Sequence, residues 1–174
     1  MNDDQLPIDL GIDLDDPVAL WQAWNNPTRR ATQSGRFLHR ISSDDLFTEN
    51  LMWSLPYLGL SPRTRQINDA IKTLFPDMTA ALNPENASLA DEFVCFIAEA
   101  FTTNTGATLY NDQPVPPGRS FYTAINPALR YPFTDRTDTL WELADQALRD
   151  GWATVGALLH DATQQHDDWR EDQA

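Results

Sequence analysis

The sequence predicts a mainly α protein, a compact single-domain bundle of about six helices with a small β element. Three observations point there. Helix-start residues recur ahead of apolar stripes of period 3.6, at Asp16 with Pro17, at Pro27, at Ser42 with Ser43, at Ser61 with Pro62, and at Ser88. Apolar residues fill 41 % of the 174 positions, with six Trp and eight Phe among them, which suits one packed core and excludes wholesale disorder. Period-two alternation is confined to a few short stretches.

Residues 1–16 make an acidic N-terminal segment, strand-like or flexible. Over 6–14, Leu6, Ile8, Leu10, Ile12 and Leu14 alternate with Asp9, Gly11 and Asp13, the pattern of a strand with one apolar face. Such a strand needs an edge for its backbone. One lies within the chain, where residues 107–110 and 120–124 can form a hairpin around NDQPVPPGR; a second protein can offer another by strand addition. Acidic–hydrophobic alternation equally fits a disordered recognition segment.

The helical domain is expected over 17–166. Asp16 and Pro17 read as N-cap and first residue of a short helix through Trp24, and Pro27 starts a second helix to about Ile41. Ser42 and Ser43 cap a third over 44–55, apolar on every face in its second half (Leu51, Met52, Trp53, Leu55) and ended by Pro56. Ser61 and Pro62 open a fourth, striped by Ile67, Ala70, Ile71, Leu74 and Phe75. Ser88 with Asp91 resembles a capping box before a fifth, whose buried face is Leu89, Phe93, Phe96, Ile97, Ala100 and Phe101. A Pro/Tyr-rich loop over 102–136 then wraps the core or forms a binding loop. The last helix begins near Asp138 and keeps its stripe in phase through Leu140, Ala144, Leu148, Gly151, Val155, Leu158 and Leu159. Gly151 falls on the buried side, where it permits close helix approach rather than ending the helix. Residues 167–174 form an acidic tail that frays.

Charge is the most pointed feature of the composition. Residues 1–28 carry a net −6, residues 29–72 a net +3, and residues 73–174 a net −11, for −14 overall. An acidic shell around a basic block suits a protein that meets charged macromolecules or masks its own basic surface. Arg outnumbers Lys eleven to one, as a GC-rich, bacterial-like genome would give. MNDDQLPID has acids where a secretory signal carries Lys or Arg, and no apolar h-region follows, so a cytoplasmic location is expected. The longest apolar run, 93–98, is far below the ~20 residues of a membrane span.

Several residue groups carry candidate chemistry. On a helix over 28–41, Arg29, Gln33, Arg36 and Arg40 fall within about 60° of one another, an arginine stripe that can grip phosphate or pair with the chain's own acids. LGLSPRT at 58–64 resembles the entry to the recognition helix of LuxR-type helix-turn-helix domains, where a Gly turn and a capping Ser precede the helix. The resemblance spans seven residues and implies that Arg63, Arg65, Gln66 and Asn68 face base edges. Upstream, Leu55 stands at the small-residue position and Pro56 interrupts the first helix. An ordinary Ser-Pro helix start accounts for the same residues, with Asp69 between Arg65 and Lys72 as ion-pair neighbours.

The single cysteine, Cys95, excludes an internal disulfide and sits about 200° from the apolar stripe of its helix, beside Asp91 and Glu99, which would suppress a thiolate. His160 and His166 lie about 120° apart on a helix and cannot share an ion, so no metal site is expected. Glu92 with Glu99 and Asp44 with Asp45 are pairs that twenty-six acids produce by chance. A Pro-x-x-Pro-x-Arg string at 114–119 has the form of an extended proline ligand, a coincidence expected of a Pro-rich loop. No cofactor motif is present in the sequence.

These readings favour a small acidic, non-enzymatic cytoplasmic module that binds or neutralises a basic partner protein. Its contact residues would be Asp9, Asp13, Asp15 and Asp16 in the N-terminal segment and Asp167, Asp168, Glu171 and Asp172 in the tail. The alternative is a nucleic-acid-associated regulator using Arg29, Arg36, Arg40, Arg63 and Arg65, which the net charge disfavours. An enzyme with no identifiable motif is the third class.

Overall fold

Helix starts in this chain are set by short polar side chains and by proline. In the computed structural model, which describes residues 16–41 and 62–174, the Asp16 carboxylate accepts from the backbone N–H of Val18 at 2.9 Å and Ala19 at 3.3 Å. It thereby caps α1, Pro17–Trp24. Asn26 Oδ1 accepts from Arg29 N–H ahead of α2, Pro27–Ile41. Then come α3 (Pro62–Leu74), the one-turn α4 (Met78–Ala81) capped by Asp77, and a 3₁₀ turn at Pro84–Asn86. The long α5 (Ala87–Thr105) follows and ends at Gly106, which adopts φ 64°. The strand expected over 6–14, the helix over 44–55 and the upstream part of LGLSPRT lie outside the described residues.

The described residues thus form a mainly α fold with a three-stranded antiparallel sheet in the order β1 (Thr108–Asn111), β2 (Pro127–Arg130), β3 (Thr137–Thr139). The expected hairpin is corrected here. Residues 107–110 do contribute a strand, but its partner is β2, with Thr108 opposite Arg130 and Asn111 opposite Pro127. The 120–124 stretch instead folds on its own side chains. Ser120 Oγ donates to Ile125 O and accepts from Tyr122 N–H, while the adjacent Phe121 and Tyr122 are both buried.

A second correction concerns the last helix. It is two helices, α6 (Leu140–Asp150) and α7 (Trp152–Asp172), broken at Gly151 with φ 94° and ψ 156°. A Cβ at Gly151 would stand 2.8 Å from Asn68 Oδ1. The expected close approach is therefore real, and the helix ends there as well. Thr139 and Glu142 form a full capping box for α6. Asn68 of α3 caps α7 across the fold, accepting from Trp152 N–H at 3.1 Å. The tail expected to fray continues α7 as regular helix to Asp172.

The core sits around α5, whose residues 90–98 are buried without a break. Phe37 of α2 packs on Phe93 and Phe96, Phe75 packs on Phe93, and Trp152 packs on Phe96, with ring centroids 5.0–5.7 Å apart. No described helix is long and apolar enough to cross a membrane.

Candidate functional site

Burying α5 on every side forces its acids to find partners, because an unpaired carboxylate in the interior is expensive. Asp91 and Glu92 are 3 % and 1 % exposed. The partners come from α2. Arg30 meets Glu99 at 2.9 Å, while Arg40, further along α2, meets Glu92, earlier on α5, so the two helices run antiparallel. Arg40 grips Glu92 with two parallel bonds, Nε to Oε2 at 2.6 Å and Nη2 to Oε1 at 3.1 Å. Arg30 also donates to the Asn25 carbonyl and side chain at the end of α1.

Asp91 is the hub. Its Oδ2 accepts from Arg29 Nη2 at 2.5 Å and Gln33 Nε2 at 2.7 Å. Its Oδ1 accepts from Tyr122 Oη at 2.8 Å and from Trp24 Nε1 at 3.2 Å, and the Trp24 N–H is shared with Tyr122 Oη at 2.8 Å. Four donors on two oxygens fill the carboxylate's usual acceptor sites. The capping box expected of Ser88 and Asp91 is therefore not formed: α5 has no side-chain cap bond, and Asp91 faces the interior.

Cys95 lies in the same network, completely buried, with Arg29 Nη1 3.6 Å from Sγ. The sequence places it on the face away from the stripe, yet α2 covers that face and closes it to solvent. Burial, then the charge of Asp91, pushes its thiol well above the ordinary range, and Arg29 only partly opposes this. Tyr122 is pushed up likewise, by burial and then by Asp91. Burial is the largest influence on Arg29 and would depress it, but Asp91 together with Cys95 and Tyr122 more than offsets this and keeps the guanidinium charged. At neutral pH the network holds a thiol and a phenol, and the acceptor sites of Asp91 are filled by its four donors. It joins α1, α2, α5 and the 112–126 connection, and presents no thiolate or open base.

The arginine stripe divides accordingly. Arg29 and Arg40 bind α5, so among the described residues the acids that meet the stripe are Asp91 and Glu92. Arg36 is exposed and, among the described residues, bonds to Gln33. Sequence reasoning passed over Asp91, Glu92, Trp24 and Tyr122 as a group. The available signal was a pair of acids leading straight into the apolar run 93–98, which demands cations, with an arginine stripe on another helix to supply them.

α3 begins at Pro62, as an ordinary Ser-Pro helix start and the helix-turn-helix resemblance both imply. Arg65 is exposed and the Arg63 side chain lies outside the described residues. Asn68 faces inward to Trp152, and the outer side carries Asp69 between Arg65 and Lys72. Residues 114–119 are not an extended ligand: Arg119 N–H donates back to Pro116 O around Gly118 at φ 66°. His166 packs between Phe133 and Trp169. Among the described residues, no three His, Cys, Asp or Glu are placed to hold a metal ion.

Of the acids expected to meet a partner, Asp16 is exposed but committed to capping α1. Asp167, Asp168, Glu171 and Asp172 are all exposed on the last turns of α7, joined by Asp161. Asp9, Asp13 and Asp15 lie outside the described residues. No protein-family model, curated protein or solved structure matches this chain.

Proposed function

We propose that the protein is a small acidic interaction module that binds a basic partner protein through the outer surface of α7. The division of the charges supports this reading. Arg29, Arg30 and Arg40 are engaged by the chain's own acids. The outer surface of α7 has the opposite character: Asp161 at mid-helix and Asp167, Asp168, Glu171 and Asp172 at its end are exposed and make no ion pair among the described residues, and Arg170 is the one Lys or Arg within the helix. An unpaired acidic helix end attracts a basic surface over a Debye length of ~8 Å and raises its association rate. The nucleic-acid reading draws less support, since the stripe's phosphate-gripping donors on Arg29 and Arg40 are occupied and Asn68 is turned inward.

The test is affinity capture from native lysate at graded salt, identifying bound protein and nucleic acid together. The chain is compared with a variant carrying Asn at Asp161, Asp167, Asp168 and Asp172 and Gln at Glu171. A basic protein held at low salt, released as salt rises and lost from the variant supports the proposal. Equal capture by both forms, or nucleic acid as the captured species, overturns it.

A further inference from the structure

The connection between β2 and β3 curls around a hollow of about 440 Å³, within the size range of small-ligand sites. Its walls include Arg130, Pro132, Phe133, Thr134, Asp135 and Thr137. The strand register explains why Arg130 faces this hollow without a countercharge. Thr108, Arg130 and Thr137 form one cross-strand row, all exposed, whereas Asp138 shares the opposite face with Leu129. Asp138 is also occupied, by Tyr131 Oη at 2.8 Å and by Arg136. Among the described residues Arg130 makes no ion pair; its guanidinium lies 4.6 Å from the centroid of the Tyr110 ring, which steadies it and leaves its N–H donors free. Asp135, exposed on the same hollow, has no cationic partner among the described residues either.

Two residues of opposite charge, Arg130 and Asp135, thus line one hollow and make no ion pair with each other. Phe133 supplies an apolar wall held in place, with Tyr131 at 5.4 Å on one side and His166 at 6.1 Å on the other. From this we infer that the hairpin hollow binds a small zwitterion, a free α-amino acid with an apolar side chain. Its carboxylate pairs with Arg130 and the Thr137 hydroxyl, its ammonium with Asp135, and its side chain rests against Phe133 and Pro132. A planar guanidinium suits a carboxylate, and Asp135 repels a phosphate dianion. The hollow is open, so affinity on the order of 1 mM is expected. This site is separate from the acidic surface of α7.

The experiment is a titration of the full chain, followed by amide chemical shifts, with four probes: L-phenylalanine, N-acetyl-L-phenylalanine, L-phenylalaninamide and inorganic phosphate. Free phenylalanine should shift resonances of residues 130–137. Each blocked form should bind at least about tenfold more weakly, as loss of one charge-assisted contact implies. Arg130→Gln should lower the affinity for phenylalanine about tenfold and erase its advantage over the amide. Asp135→Asn, on an exposed position, should erase the advantage over the N-acetyl form. Unchanged thermal melts show that both variants fold. No shifts at about 20 mM phenylalanine, tighter binding of phosphate, or equal binding by the N-acetyl form would each overturn the assignment.

Discussion

Removing Arg29 tests whether the hub at Asp91 holds this fold together. Arg29→Ala leaves Asp91, whose side chain is 4 % exposed, without the cation it pairs with among the described residues. Breaking a buried ion pair from one side costs about 3–5 kcal/mol where nothing compensates. Two features reduce that here. Trp24, Tyr122 and Gln33 still donate to the carboxylate, and the Arg29 side chain is 20 % exposed, so its departure admits water. The expected loss is about 2–3 kcal/mol, close to that of a hydrogen bond to a charged group. For a chain of this size, that lowers the melting temperature by roughly 5–10 °C. Urea unfolding followed by far-UV circular dichroism measures it. Arg40→Ala should cost about 2–4 kcal/mol, because buried Glu92 loses both of its Arg40 donors, a cost that the water admitted beside half-exposed Arg40 only partly offsets. Arg149→Ala, on a fully exposed pair with Asp145 and Asp150, should cost nothing measurable. A loss below about 0.5 kcal/mol for Arg29→Ala, or equal losses at all three positions, would refute the reasoning.

Two further outcomes follow from the α6–α7 break and from the buried thiol and phenol. Gly151→Ala should destabilise by about 1–3 kcal/mol through its positive φ, with an added clash against Asn68 Oδ1; in an Asn68→Ala background that clash disappears, so the two losses combine less than additively in urea melts. Stability should also fall at alkaline pH. Cys95 and Tyr122 keep their protons in the folded state above their ordinary values of 9.0 and 10.0, so the unfolded chain deprotonates first. Their contribution is complete below about pH 9 and is lost above it, by up to about 1.4 kcal/mol per pH unit for each group. Urea midpoints at pH 7, 9 and 10.5 measure the slope, and Tyr122→Phe should flatten it; a level profile would contradict the buried environment of both groups.

What could be read in the sequence was whatever depends on neighbours a few residues apart. Asp16 before Pro17, Pro27 and Pro62 each fixed a helix start, because capping and the proline φ are local. The stripe Ile67, Ile71, Phe75 is buried as its spacing requires. The misses are long-range. Strand pairing depends on which segments meet, and the 120–124 stretch lost β1 to residues 127–130 through hydrogen bonds centred on Ser120. Gly151 kept the helical phase on both sides, so periodicity could not reveal the break between α6 and α7. At the hub, the arginines were legible as a stripe and the acids as a pair. Only the antiparallel packing of α2 on α5 joins them.

The hub also sets an order of events during folding. The bonds to Asp91 join residues separated along the chain by 31 positions for Tyr122, 58 for Gln33, 62 for Arg29 and 67 for Trp24, and Trp24 reaches Tyr122 across 98. Contacts of such separation carry the largest loop-closure entropy, whereas the helices they fasten form from local contacts. We expect the network to close late, after the folding barrier, so that its contribution appears as resistance to unfolding. Arg29→Ala should accelerate the unfolding limb of a chevron while leaving the refolding limb nearly unmoved. A refolding rate that falls in proportion to the lost stability would instead place Asp91 in the folding nucleus. An accelerated unfolding limb alone would mean that the buried acids of α5 govern how long the folded chain persists more than how fast it forms.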